Sequence, residues 1–140
     1  MNGESGFITM LGTGNALATR IYSTCFILHG EKGLLLVDAG GGNGILTQLE
    51  KAGIRPDSIS DLFVTHAHTD HLLGCIWMMR MALQFRYPLR VWSHKKVIDL
   101  LTDICRQILP AKNTKGITPN PGSTLNHIFI ERLYGLIISQ

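Results

Sequence analysis

Residues 72–83 leave the chain little choice of architecture. Leu72, Leu73, Cys75, Ile76, Trp77, Met78, Met79, Met81 and Leu83 fall within twelve positions, with Arg80 the one charge among them. A helix with so little polar face is buried by other layers. The uninterrupted run over 72–79 is far too short to cross a bilayer. The rest of the chain must therefore cover this helix, and Trp77 and the methionines read as core. At 140 residues there is enough chain for one domain with a real core and too little for two. A hydrophobic fraction of 45% and a charged fraction of 16% are globular values. The net charge of +3 comes from scattered Lys and Arg, with Lys95-Lys96 the longest cluster. That is no nucleic-acid footprint, although an anionic substrate stays open. Cys25, Cys75 and Cys105 form no CxxC pair and sit in apolar segments, so they read as buried free thiols. No basic stretch leads into an apolar core near Met1, so the expectation is a soluble cytoplasmic protein without a membrane segment.

Apolar and turn-forming segments alternate along the chain. Strands are expected over 7–11, 24–28 and 34–37, the last two joined as a hairpin through His29-Gly30-Glu31-Lys32-Gly33. After Asp38 a run of glycines breaks the strand, and a helix follows over 45–51, closed by Gly53. A strand over 62–65, the apolar helix over 71–85 and a short strand over 89–92 come next. Val97, Leu100, Leu101, Ile104, Cys105 and Ile108 then recur at helical spacing. Residues 110–124 have loop or linker composition, and 125–140 form an apolar, strand-like tail. This alternation favours an α/β layered fold.

Between the fourth strand and the apolar helix stand His66, His68, Asp70 and His71. On an extended segment, residues two apart project from one face, so His66 and His68 can grip a single cation. Asp70 and His71 lie where the chain turns into the helix and can point back toward the same pocket. Imidazoles with a carboxylate suit zinc and similar divalent ions. Two such ions about 3.5–4 Å apart would activate a shared water for hydrolysis. The bland alternative makes these residues surface or capping groups, with Asp70 capping the helix, but it leaves three histidines unexplained. Gly12-x-Gly14 reads as a structural or substrate-adjacent turn rather than a dinucleotide loop, because Leu17 occupies the third glycine position of GxGxxG. His94 reads as a helix-cap residue.

The segment from Thr65 to Gly74 resembles the HxHxDH signature of the metallo-β-lactamase superfamily. Leu34-Leu35-Leu36-Val37-Asp38-Ala39-Gly40 is similar to the segment of strand, Asp and glycine that precedes that signature. Leu11-Gly12-Thr13-Gly14-Asn15-Ala16, with Arg20 and Ser23, resembles the start of the ribonuclease Z-like branch. The resemblance implies a half of an αβ/βα sandwich, a mixed sheet with flanking helices, within residues 1–109. It implies that His66 and His68 bind a first metal and Asp70 and His71 a second, with Asp70 also handling protons of the attacking water. The ions would be zinc, two in number, with manganese or iron as substitutes. Asp38 would orient the metal loop from behind; an Asp in a strand-ending turn is its other reading.

The family completes its site with a third His, a bridging Asp and a last His. After His94 this chain has only His127, which is either a third ligand or an ordinary strand residue. Asp99 and Asp103 lie on the amphipathic helix and do not suit a bridging role. The resemblance thus implies the N-terminal half of the fold, with an apolar sheet face and an edge that call for a partner. That partner would be a second copy in a homodimer or a missing C-terminal half. The leading functional expectation is a metal-dependent phosphodiesterase in which metal-activated water attacks a small-molecule or RNA-type substrate. A non-catalytic metal-binding half-domain working in an assembly is the alternative, and a thioester or lactone hydrolase is the alternative among enzymes.

Overall fold

A computed structural model describes residues 6–109 in full, together with the backbone of 117–120 and 126–130. The strands are β1 (Phe7–Gly12), β2 (Cys25–Gly30), β3 (Gly33–Val37), β4 (Ile59–Phe63), β5 (Leu89–Ser93), β6 (Ile117–Asn120) and β7 (Asn126–Ile130). The helices are α1 (Gly44–Lys51), α2 (Thr69–Phe85) and α3 (Lys95–Ile108), with a short 3-10 turn at Pro56–Ser58. The strands form one sheet in the order β1-β2-β3-β4-β5-β7-β6. Pairing is parallel across β3-β4-β5 and antiparallel elsewhere, so the sheet is mixed. The two parallel steps are made by β3-α1-β4 and β4-α2-β5. Parallel neighbours require such crossovers, and their right-handedness puts consecutive helices on one face.

Two sequence expectations are corrected here. Residues 117–120, read as loop or linker, form β6, an edge strand that pairs with β7 from Ile117↔Ile130 to Asn120↔His127. Pro119 gave that stretch its loop-like look, but an edge strand can spare one amide donor. The remainder of 110–124, residue 125 and residues 131–140 lie outside the described residues. Within the expected apolar tail, 126–130 extends the sheet as β7 beside β5. The fourth strand also ends two residues earlier than expected, at Phe63, so Val64 and Thr65 belong to the loop.

Side chains in register alternate between two unlike faces. Ile27, Leu36, Leu62 and Val91 stand in one row and are fully buried beneath the helices. Ile45 and Leu49 of α1, Met78 and Met79 of α2, and Leu101 and Cys105 of α3 complete that core. Trp77 does not belong to it, which corrects the core reading: it is 38% exposed and Leu73 is 37% exposed. Leu73, Trp77, Arg80 and Gln84 are all exposed, at helical spacing along the side of α2 turned away from the sheet. The Arg80 guanidinium lies 5.9 Å from the Trp77 ring centre and shelters part of it.

The other sheet face carries the rows Ile8-Leu28-Leu35-Asp61-Arg90 and Met10-Phe26-Val37-Phe63-Trp92. Its residues are half-buried or exposed, with Ile8 at 57% and Met10 at 51%. A groove of about 630 Å³ runs over Leu35, Phe63 and Trp92. Asp61 is the polar anchor of this face, accepting hydrogen bonds from Arg90 and the Trp92 indole at 2.8 Å each. Burial alone would push the Asp61 carboxyl up, but hydrogen bonds from Arg90, Trp92 and Ser60 carry it below its ordinary value. The apolar sheet face expected from the sequence is therefore present and, among the described residues, half-buried or exposed. Among the described residues, no helix is long and apolar enough to cross a membrane.

Candidate metal centre

The histidine loop sits at the C-terminal ends of β3 and β4, where parallel strands place ligand sites. Asp38 is its hub. It follows β3 directly, is 5% exposed, and adopts a left-handed backbone with φ 55°. One carboxylate oxygen accepts the Thr65 backbone N–H at 2.8 Å. The other accepts the Thr65 hydroxyl at 2.7 Å and the Nδ1–H of His71 at 2.8 Å. Asp38 thus joins the end of β3 to the histidine loop and to the first turn of α2. It occupies a strand-ending turn and orients the loop as well, so its two sequence readings describe one residue.

These bonds fix where protons sit on the imidazoles. His71 gives its Nδ1 proton to Asp38, so in the neutral imidazole the lone pair lies on Nε2, the atom that faces Asp70 Oδ2 at 3.3 Å. The single hydroxyl proton of Thr65 also goes to Asp38. Thr65 Oγ1 therefore accepts from His66 Nδ1, 2.8 Å away. His66 is left with a lone pair on Nε2, which faces His68 Nδ1 at 3.0 Å. Two close pairs result, His66/His68 and Asp70/His71, with room between the members of each for a proton or a cation. A tetrahedral ion with ligand bonds of about 2.0–2.1 Å would set neighbouring donor atoms about 3.3 Å apart. Both pairs lie near that spacing, so the donor set fits divalent metal. The His66 ring also lies 4.2 Å from that of His71, centre to centre, which brings the pairs side by side. His71 and Asp70 are 20% and 15% exposed, so the cluster opens toward solvent.

Three residues that sequence reasoning gave no role hold this geometry. Gly74 lets α2 approach the loop: a Cβ there would lie 1.8 Å from the Ala39 carbonyl oxygen. Its amide donates to Gly40 O at 2.9 Å, and Ala39 N donates to His71 O at 3.2 Å. Tyr22 clamps the glycine loop from the other side, donating to the carbonyls of Ala39 and Gly42 at 2.8 and 3.0 Å. Burial, with the Cys25 thiol nearby, pushes its phenol up to about 12. Thr65 is the relay between Asp38 and His66. In the Gly12-x-Gly14 turn, Gly14 exchanges backbone hydrogen bonds with Tyr22 and Thr24.

Other candidates lie apart. His94 occupies the N-cap position of α3 but makes no capping bond through its side chain, and Asp70 falls within the first turn of α2 rather than at its cap. Asp99 pairs with Lys95 at 2.6 Å. His127 lies in β7 opposite Trp92, and its imidazole is outside the described residues. Cys25, Cys75 and Cys105 are buried and free. Burial, and then the nearby Asp38, raises the Cys25 thiol to about 12 and Cys75 well above its ordinary value, so both stay neutral. Among the described residues, no group of three or more His, Cys, Asp or Glu side chains converges on one point as a metal cage. The cluster consists of pairs.

The family model described as anti-Pycsar protein Apyc1 matches residues 7–117. A ribonuclease Z from Aeropyrum pernix is 33% identical over 100 residues, covering 69% of this chain and 32% of the relative. The anti-Pycsar protein Apyc1 of Bacillus phage 010DV004 is 32% identical over 68 residues, covering 48% of this chain and 26% of that protein. Among solved structures, the short form of human tRNase Z superposes with a TM-score of 0.62 at 25% identity, covering 74% of this chain and 39% of that one. The chain thus spans about a third of the length of these relatives.

Proposed function

Since the chain belongs to the anti-Pycsar Apyc1 family, a ribonuclease Z-like group within the metallo-β-lactamase superfamily, we propose that it is a metal-dependent hydrolase of phosphodiesters, RNA-type substrates first among them. The observation that carries this reading is the double use of Asp38. One carboxylate sets the proton positions of both His66 and His71, leaving two donor pairs turned toward each other's open sides. His66 and His68 would hold one divalent cation, and Asp70 and His71 a second. When bound, such cations lower the pKa of a water and neutralise charge developing on phosphoryl oxygens. Zinc suits this nitrogen and carboxylate set, with manganese or iron as substitutes.

The chain's own groups do the remaining work. Asp70 keeps one oxygen toward His71 and has a second with which to take the proton of the attacking water. Asp38 keeps both Nδ1 protons in place, directly on His71 and through Thr65 on His66. Gly74 and Tyr22 hold the loop against α2, so the donor pairs need no reorganisation when substrate arrives. The experiment is metal analysis of the purified chain alongside turnover of bis(p-nitrophenyl) phosphate. About two ions per chain and turnover lost in His66→Ala support the reading. Substoichiometric metal together with no turnover overturns it.

A second reading draws on the sheet face left half-buried or exposed among the described residues and on the share of its relatives that the chain spans. Here the chain is a half-domain whose site is completed by a partner surface. The rows from Ile8 to Trp92 would pack against a second sheet, from another copy in a homodimer or from a C-terminal half. That partner would bring the third His, the bridging Asp and the last His. Sedimentation of the chain with and without zinc separates the readings. A monomer with full metal content favours the first, and a dimer that alone retains metal favours the second.

A further inference from the structure

Among the described residues the sheet has two edge strands, and they differ in kind. β6 closes one side of the strand order and carries Pro119, which takes a backbone donor away from that edge. β1 closes the other side. From Gly6 to Thr19 the sequence has neither a charged residue nor a proline. The register between β1 and β2 slips between Met10 and Gly12, so the strand is regular from Phe7 to Met10 and bulged only at its end. Edge strands are normally guarded by charge or proline, because their free N–H and C=O groups otherwise pair with another chain. β1 lacks that guard.

The side chains along this edge are apolar. Phe7, Ile8 and Met10 are each more than half exposed, and so is Ile21, which borders the same shallow depression as Met10. Exposed apolar surface gathered on one edge marks an interaction site. Its two faces are set by pairing with β2. Ile8 and Met10 stand beside Leu28 and Phe26 on the open face, while Phe7 and Thr9 stand beside His29 and Ile27 on the helix face. The Phe7 ring stacks on the His29 imidazole at 3.9 Å, centre to centre, and Thr9 Oγ1 lies 2.8 Å from His29 Nε2. Both helix-face side chains are thus held in place.

The order of residues selects the occupant. Phe7-Ile8-Thr9-Met10-Leu11 reads alike from either end, with large apolar residues placed symmetrically about Thr9. Directly opposite residues of an antiparallel pair point to the same face. Two copies paired about Thr9 satisfy this, setting Ile8 against Met10 of the second copy on the open face and Phe7 against Leu11 on the helix face. A centre at Ile8 or Met10 leaves much of the strand unpaired, and a centre between residues would oppose side chains of unlike faces. We propose that β1 pairs antiparallel with β1 of a second copy about a two-fold axis at Thr9, joining the two sheets edge to edge. About four to six backbone hydrogen bonds form across the axis. β1 runs in the same direction as β3, so the two histidine loops lie at opposite ends of the joined sheet. This dimer differs from a packing of sheet on sheet, and it is independent of metal binding or hydrolysis.

The test is sedimentation equilibrium of the full chain and of two double variants. An edge pairing of this length lies at the small end of specific interfaces, so the parent should dimerise with a Kd on the order of 10 μM. Ile8→Lys combined with Met10→Lys sets like charges directly opposite each other and should weaken the dimer at least about tenfold. Ile8→Lys combined with Met10→Glu sets opposite charges against each other and should return Kd to within about threefold of the parent. Both positions are exposed in the single chain, so both variants should keep the parent's urea midpoint. A parent that stays monomeric at about 0.5 mM, a dimer that the doubly basic variant leaves unchanged, or equal Kd values for the two variants would each overturn the assignment.

Discussion

Replacing Asp38 by asparagine separates hydrogen-bond direction from shape in building the metal site. Asparagine is among the few residues that tolerate the left-handed backbone at φ 55°, so Asp38→Asn keeps the turn. The number of acceptors is what changes. Thr65 N, Thr65 Oγ1 and His71 Nδ1 all donate to the carboxylate, at 2.8, 2.7 and 2.8 Å. The amide has one accepting oxygen and an NH2 group that only donates. With the oxygen kept on the Thr65 amide, the NH2 confronts Thr65 Oγ1 and His71 Nδ1. Relief requires His71 to carry its proton on Nε2 and Thr65 to turn its hydroxyl toward His66, which moves the His66 proton to Nε2. Both shifts cap the nitrogens that face Asp70 and His68. Two hydrogen bonds to a charged acceptor, about 1.5–3 kcal/mol each, give way to neutral ones of about 1 kcal/mol. The net cost in stability is then about 1–4 kcal/mol. Metal affinity should fall about 10–100-fold, the usual effect of losing the partner that orients a ligand. Urea unfolding followed by tryptophan fluorescence measures the first quantity, and zinc competition against a chelator the second. A variant that loses stability but binds zinc within about twofold of the parent would refute the proton-ordering argument and leave Asp38 a purely structural residue.

Thr65→Val keeps the shape but removes the relay hydroxyl. It should weaken zinc binding about tenfold, with Thr65→Ser restoring it, as read in the same competition assay. Gly74→Ala places a methyl 1.8 Å from a backbone carbonyl; thermal unfolding should show a loss of about 3 kcal/mol or more, because backbone cannot yield as a side chain does. Asp61→Asn should lower stability fully at pH 7 and progressively less as pH falls below the ordinary carboxylate range. The Asp61 carboxyl is held below its ordinary value, so its contribution is present above the unfolded carboxylate range and is lost as pH falls through the folded value. Urea midpoints across pH 3–7 check this, and a uniform shift at every pH would contradict it.

The histidine cluster was legible in the sequence because its members fall within six positions, and an extended segment running into a helix is enough to bring His66 beside His68 and Asp70 beside His71. Asp38 was legible only through resemblance, since 33 residues separate it from His71 and nothing local reveals the bond between them. Thr65, Tyr22 and Gly74 were not legible as site residues at all. Their roles depend on strand register and on how closely α2 rides over the glycine loop, neither of which spacing encodes. Trp77 failed in the opposite direction. Its helix is apolar on nearly every side, which usually means burial on every side, yet here the three helices share a single sheet face and α2 keeps an outer flank. That flank and the half-buried rows from Ile8 to Trp92 obey the same constraint: one sheet can bury only one layer of helices per face. Apolar surface beyond that capacity must be sheltered locally, as Arg80 shelters Trp77, or covered by a partner. Among the described residues the Asp61 network ties down one end of this face, and its three hydrogen bonds do not extend along rows that cross five strands. The half-buried rows and the donor pairs of the histidine loop thus lie on one sheet, the first along its open face and the second at the C-terminal ends of its parallel strands.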